Sequence, residues 1–236
     1  MESNAVKHLA IIMDGNARWA KKNFLTITQG HECGMKNVEE IIKSCIDNGI
    51  KFLTLYAFST ENYKRPKSEI DGLMIAIDKY LKKGVENILK NKVKINLLGS
   101  KNGIKDDLLQ KISSIEKKTS GNSNITLNIA FNYGGRQELV DGFKKIAKKI
   151  EHKKITLDEI NANLISDHLY IPKMTEPDLV IRTGGEFRIS NFLLWHIAYS
   201  ELFFTDILWP DFSRNDLEGA LKEFKLRKRN YGGRRA

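Results

Sequence analysis

The sequence predicts a single α/β domain with a mostly parallel central sheet of about six strands flanked by helices. Short apolar runs of strand length alternate with longer segments whose apolar residues recur at helical spacing. The run Leu9 to Met13 is apolar throughout, the pattern of a strand covered on both faces in a parallel sheet. Polar clusters also follow several of the runs, and ligands of open α/β sheets bind beyond the carboxyl ends of the strands.

Taken in order, strands are expected near 8–13, 51–58, 93–98, 124–131 and 178–182, with a weaker one near 202–207. Helices are expected near 31–48, 68–90, 104–118, 136–151, 157–168 and 213–228. Ser68, Thr156 and Ser213 each precede an acid by three residues, the spacing of a capping box that opens a helix. In helix 68–90 the stripe Ile70, Leu73, Met74, Ile77, Leu81, Val85 and Ile88 reads as a buried face. No linker rich in Pro, Gly or Ser divides the chain and no internal repeat is present.

A chain of 236 residues is long enough to bury a sizeable core. No charged and apolar leader precedes the first strand, and no apolar stretch reaches the ~20 residues that span a bilayer, so a cytoplasmic protein is expected. Cys33 and Cys45 fall on one expected helix, about 18 Å apart along its axis and too far to bridge. The net charge of +10 favours phosphate-rich ligands, nucleic acid or an anionic membrane surface without choosing among them. No nucleic-acid recognition motif is present, and basic residues are scattered among acids rather than gathered in a stripe, so nucleic acid is not the expected partner.

The first strand runs into Asp14-Gly15-Asn16-Ala17-Arg18-Trp19, where an acid, a flexible glycine and a helix-starting asparagine suit an anionic ligand held through a metal. The alternative is that Asp14 or Asn16 simply caps a helix. Three other clusters fall at the corresponding strand ends: Ser59 to Pro66, Asn132 to Arg136 and Arg182 to Asn191. Arg18, Arg65, Arg182 and Arg188 offer planar forks for phosphate oxygens, Ser59 and Ser190 add hydroxyls, and the glycine pairs let backbone amides approach. Mg²⁺ takes one or two protein carboxylates and completes its shell with phosphate and water, so Asp14 with Glu201 would suffice. Neither phosphate-loop nor dinucleotide glycine motif occurs, no histidine or cysteine spacing suits zinc, and Gly-x-Ser-x-Gly is missing.

The segments His8 to Lys22, Gly30-His31, Tyr56 to Asn62, Phe131 to Arg136, and Pro177 to Glu186 through Ser190 to Trp195 together closely resemble the cis-prenyltransferases, over nearly the whole chain and in the family's order. The resemblance implies a homodimer, an apolar product tunnel, and Mg²⁺-dependent condensation of isopentenyl diphosphate onto an allylic diphosphate such as farnesyl diphosphate. The implied product is a long polyprenyl diphosphate such as undecaprenyl diphosphate, the lipid-carrier precursor for cell-wall polymers. By position, Asp14 would bind Mg²⁺ with the diphosphate, and Gly15, Asn16, Ala17, Arg18, Trp19 and His31 would contact the allylic substrate. Arg182, Arg188, Ile189 and Ser190 match positions that hold isopentenyl diphosphate, and Glu201 matches a metal ligand near the subunit boundary. Ser59, Thr60, Glu61, Tyr63 and Arg65 match further substrate contacts. Asn62 matches the assigned proton acceptor; a neutral amide is a poor base, and departing diphosphate is the alternative acceptor.

The chain departs from the family's pattern at four places. Ile27 stands where an arginine is common, Ala17 for glycine, Tyr63 for tryptophan and Phe187 for histidine. The resemblance turns part of the helix 68–90 stripe, with Ala57 and the inward residues of strand 124–131, into a tunnel wall. Trp195 and Trp209 read as core or interface anchors. The basic tail Lys222 to Arg235 would contact phosphates across a dimer, touch anionic lipid, or fray. A noncatalytic partner subunit of a prenyltransferase complex would share the fold, but it could dispense with Asp14 and the Arg182 to Arg188 cluster, and both are present.

Overall fold

A computed structural model of the chain describes residues 5–83 and 85–228. Six strands form one sheet in the order β3-β4-β2-β1-β5-β6, and every neighbouring pair is parallel. They are β1 (His8–Ile12), β2 (Phe52–Ser59), β3 (Val93–Leu98), β4 (Ile125–Tyr133), β5 (Leu179–Arg182) and β6 (Glu201–Phe204). The helices are α1 (Asn16–Lys22), α2 (Ile27–Asp47), α3 (Lys67–Lys83), α4 (Val85–Lys90), α5 (Asp106–Thr119), α6 (Gly135–Glu151), α7 (Ala162–His168) and α8 (Arg214–Leu226).

Several expected boundaries are corrected. The helix expected from 31 begins at Ile27, because Thr26 and Gln29 form a reciprocal capping box. The helix expected over 68–90 starts at Lys67, so Ser68 lies inside the first turn, and its described residues run Lys67–Lys83 and Val85–Lys90. Thr156 with Glu159 caps only a short 3₁₀ turn at Leu157–Glu159; the α-helix begins later, with the Asn161 side chain accepting from Leu164 N at 3.0 Å. Ser213 does cap α8 through Asp216. The last strand starts at Glu201 and ends at Phe204, short of the expected 207.

The sheet has a layer on each face. Leu9, Ile11, Leu53, Leu55, Leu127 and Ile181 pack with Val38 and Ile41 of α2 and Leu217 and Phe224 of α8 on one side. Ala10, Ile12, Ala130 and Val180 pack with Phe192 and Leu193 on the other. Strand β1 lies between β2 and β5: the chain leaves β1 towards β2, and after β4 it crosses back to β5 on the other side, a switch that opens a crevice at the carboxyl end of β1.

One polar chain crosses the second face and anchors the start of β1. The His8 ring bonds Thr175 O at 2.5 Å through Nδ1 and the Thr54 hydroxyl at 2.8 Å through Nε2, and Asn128 Nδ2 donates to the same hydroxyl at 3.1 Å. Burial lowers the His8 pKa to about 4, against the raising influence of its bond to Thr175. The folded ring therefore stays neutral while the unfolded one takes a proton below about pH 6.5. Stability from this group is complete above that value and declines as pH falls towards 4, by about 2 kcal/mol at pH 5. Urea unfolding at pH 7.5 and pH 5 checks this: the fall between the two should shrink in His8→Gln, and an equal fall in both proteins would contradict it.

Candidate active site

The carboxyl ends of β1, β2 and β5 open on a cavity of about 510 Å³. Asp14 is part of its lining. Its backbone is fixed by the Thr183 hydroxyl, which donates to Asp14 O at 2.7 Å, and by Trp209 N, which donates to the same oxygen at 3.0 Å. Its carboxylate lies between two guanidinium groups: Arg18 Nη2 at 3.1 Å from Oδ1 and Arg182 Nη2 at 2.9 Å from Oδ2. The helix-cap alternative is excluded for both Asp14 and Asn16, because the residue that caps α1 is Gly15 and no side chain bonds there.

Arg182 is 5% exposed, and its other terminal nitrogen donates to Arg188 O and to Ser190 Oγ, the latter at 2.8 Å. Its Nε is buried with no hydrogen-bond partner among the described residues. Arg18 also donates to Gly184 O at 2.5 Å. Gly184 has a positive φ of 86°, and a Cβ there would lie 2.6 Å from Arg18 Nη2, so only glycine lets the guanidinium reach both the carbonyl and Asp14. Arg188 pairs with Glu186.

Helices α2 and α3 form the opposite wall. Burial pushes the His31 imidazole below its ordinary range; Glu69 opposes this and Arg65 adds to it, and His31 Nε2 has no hydrogen-bond partner among the described residues. Arg65 Nη1 donates to Glu69 Oε1 at 2.8 Å. Asn62 Oδ1 accepts from Ser59 N at 3.0 Å, so the amide oxygen is engaged in closing the turn after β2.

Of the expected site residues, the cavity gathers Asp14, Gly15, Asn16, Ala17, Arg18, His31, Ser59, Asn62, Arg65, Arg182, Arg188 and Ser190. Six others do not line it: Trp19, Thr60, Glu61, Tyr63, Ile189 and Glu201. Trp19 turns outward, donating from Nε1 to Asp211 at 2.6 Å, and Tyr63 packs edge-on against Phe58. Glu61 accepts from Thr60 and Asn191 at the rim, and Ile189 lies in the loop that presents Ser190. The expected pairing of Asp14 with Glu201 is corrected within the chain. Glu201 is registered with Leu179 at the amino end of β6, whereas Asp14 lies beyond Ile12, registered with Arg182 and through it with Phe204. At ~3.3 Å per residue the two carboxylates are more than about 10 Å apart along the strands. Glu201 instead pairs with Arg227 at 3.0 Å. Glu69, Glu186, Tyr56 and the buried Trp209 also line the cavity; Trp209 was expected as an anchor, Tyr56 and Glu186 stood only within the resembling segments, and Arg65 and Glu69, four apart, carried a readable signal.

Met13, Met35, Val38 and Ala57 line both this cavity and a narrower one of about 70 Å³, which continues between the sheet and α3 and α5. Ile77, Leu108, Leu127, Ile129 and Phe131 wall it. Ala57 and the inward side of β4 thus take the expected place, while the side chains of Leu81 and Val85 lie outside the described residues, as does the tail from 229 onwards. Trp209 is core, and Trp195 Nε1 donates to Ser166 Oγ at 2.9 Å.

A parallel sheet whose crevice joins an arginine-clamped carboxylate to an apolar channel defines an α/β protein that handles an anionic group with a long apolar tail. Residues 12–232 match the family model described as putative undecaprenyl diphosphate synthase, and the chain belongs to this cis-prenyltransferase family. It is 44% identical over 233 residues to the ditrans,polycis-undecaprenyl-diphosphate synthase ((2E,6E)-farnesyl-diphosphate specific) of Escherichia coli K12, covering 99% of this chain and 92% of that protein. Identity to an isoprenyl transferase of Clostridium perfringens is 43%, with the same coverage. Among solved structures, lavandulyl diphosphate synthase from Lavandula x intermedia in complex with dimethylallyl diphosphate superposes with a TM-score of 0.94 at 36% identity, over 98% of this chain and 100% of that one. A probable undecaprenyl diphosphate synthase from Campylobacter jejuni gives 0.80 at 33%, over 97% and 99%.

Proposed function

We propose that this chain is one catalytic domain of a homodimeric, Mg²⁺-dependent cis-prenyltransferase that adds isopentenyl diphosphate to farnesyl diphosphate and extends it to undecaprenyl diphosphate or a near homologue. The observation that carries the reading is Asp14 held between Arg18 and Arg182 where a polar cavity meets an apolar channel. The E. coli relative's name supports the primer and product.

The donor set fits the ion: Asp14 faces the cavity with its side chain 31% exposed, and one carboxylate with diphosphate oxygens and water suits Mg²⁺. When bound, the ion neutralises charge on the departing diphosphate. Arg18 and His31 would hold the allylic diphosphate, with Gly15, Asn16 and Ala17 shaping its site and Trp19 bracing α1 from behind. Arg182, Arg188 and Ser190, presented with Ile189, would hold isopentenyl diphosphate, and Ser59, Thr60, Glu61, Tyr63 and Arg65 would support the rim. The allylic carbon loses diphosphate, the double bond of isopentenyl diphosphate attacks it, and a proton leaves the new chain. With its oxygen already accepting from Ser59, Asn62 orients that proton rather than takes it, and departing diphosphate is the stronger base.

Exposed Leu202 on edge strand β6, with exposed Tyr199 three residues before it and exposed Phe187 packed on Phe204 of the same strand, supports pairing with a second copy. No helix among the described residues is long and apolar enough to cross a membrane, and a cytoplasmic enzyme meeting the membrane peripherally to deliver product fits this reading. Incubation with labelled isopentenyl diphosphate, farnesyl diphosphate and Mg²⁺, followed by chain-length analysis, tests the reading; no elongation would reject it.

Ile27 opens α2 one turn before His31 and is 41% exposed. Ile27→Arg is expected to lower the KM for the allylic substrate by up to ~1 kcal/mol, about fivefold, with the gain shrinking as salt rises and isopentenyl diphosphate unaffected. Kinetics at two ionic strengths with a melting curve decide it: an unchanged or higher allylic KM with a lower Tm would mean that Ile27 serves packing.

A further inference from the structure

We propose that the turn joining α1 to α2 is a membrane anchor, in which Phe24, with Leu25 and Ile27, enters the headgroup region of an anionic bilayer while Lys21 and Lys22 meet its phosphates. Phe24 is 99% exposed, the most exposed of the large apolar side chains described, and Leu25 and Ile27 are exposed beside it. A phenylalanine offers about 200 Å² of largely apolar surface. Single exposed apolar residues are ordinary, but three within four positions, one residue beyond two lysines, are not the make-up of a solvated turn.

The backbone sharpens the point. Leu25 N bonds Ala20 O at 2.9 Å and Phe24 N bonds Lys21 O at 3.3 Å, the pair of bonds that closes a helix through a left-handed residue. Phe24 is that residue, with φ 57°. Glycine is the usual choice there because any side chain is strained. The chain instead places its most exposed aromatic at a strained position where it shields nothing of the fold.

The occupant follows from charge and position. Lys21 and Lys22 form the basic last turn of α1, so the surface that receives the aromatic is negative. Helix α1 starts at the cavity with Asn16, Ala17 and Arg18 and reaches the turn after about 10 Å. Beyond it, α2 supplies His31, Met35 and Val38 to the cavity, and α3, which passes against Thr28 at Gly72, carries exposed Ile75. An anchor here sets the mouth between these helices against lipid, which gives the polyprenyl reading above its route for an apolar product; it rests on that reading for purpose, not for binding.

The test sediments the full chain with vesicles of equal parts phosphatidylglycerol and phosphatidylcholine, with phosphatidylcholine alone as the neutral arm, and measures condensation separately in detergent. Phe24→Gly is expected to lower partitioning onto anionic vesicles about tenfold, raise the Tm, and leave turnover in detergent unchanged. Lys21→Glu with Lys22→Glu is expected to lower partitioning at least about fivefold per position, a loss that fades in high salt. Wild-type partitioning by Phe24→Gly, equal binding to neutral vesicles, or a changed sedimentation coefficient in Phe24→Gly, which would make the turn a seat for a second copy, overturns the anchor. Loss of condensation by the wild-type chain would strike the prenyltransferase reading instead, leaving the vesicle result to stand alone.

Discussion

Asp14→Ala is expected to keep the fold, with a lowered Tm because the buried Arg182 guanidinium loses its carboxylate, and to lose turnover by at least about a thousandfold, near 4 kcal/mol of barrier. The side chain contributes little to the core: Leu9, Ala10 and Ile11 hold β1 by being fully buried, and the backbone bonds of Asp14 to Thr183 and Trp209 survive the change. What is lost is the carboxylate suited to an ion, together with the anion that sets Arg18 and Arg182 at the cavity. Circular dichroism and turnover with Mg²⁺ should be measured on one preparation. Near-normal turnover in a folded variant would remove Asp14 from the chemistry.

The second large effect separates the two diphosphate pockets. Arg182→Ala should chiefly raise the KM for isopentenyl diphosphate, and Arg18→Ala the KM for the allylic substrate, each charged contact being worth about 1.5–3 kcal/mol. Arg182 should lie at the upper end, on the order of a hundredfold, and should also lower the Tm, because its removal strips partners from Asp14, Ser190 and the Arg188 carbonyl in a buried place. With its side chain 49% exposed, Arg18 should leave the Tm nearly unchanged. Titration of each substrate against each variant decides; equal losses for both substrates in both variants would mean that the pockets are not separate.

The strands were legible because a strand buried on both faces is written as an apolar run, and β3 fell on its expected residues. Helix α1 was legible only at its start, Asn16, and not in its extent, since its seven residues bury only Ala20 and so leave no stripe to read. The edge strand β6 was placed late by one residue at its start and three at its end, because one edge of it faces no further strand and its pattern is mixed. In the site, Asp14, Arg18, Arg182 and Ser190 announced themselves by polar chemistry at strand ends. The direction of Trp19 towards Asp211, and the place of Glu201 at the far end of β6, depend on register and turn geometry between distant segments, which local spacing does not encode. Glu186 stood in the cluster after β5 without a role of its own, and the place of Glu69 beside Arg65 on the cavity came only with the fold.

Asn191, left-handed at φ 64° beside Ser190 at 47°, donates to Glu61 at 2.7 Å and accepts at its two oxygens from Gly135 N at 2.8 Å and Arg136 N at 2.9 Å. The ends of β2 and β4 and the loop after β5 are thereby riveted through one side chain and its peptide. Strained backbone of this kind persists only where neighbours over-determine it. Arrival of a diphosphate then finds three loops already ordered together, and the entropy of arranging them was spent when the chain folded rather than at each encounter. Such a rim acts as a template: a change at Asn191, remote from any reacting atom, would let three loops drift apart at once and weaken both pockets in step.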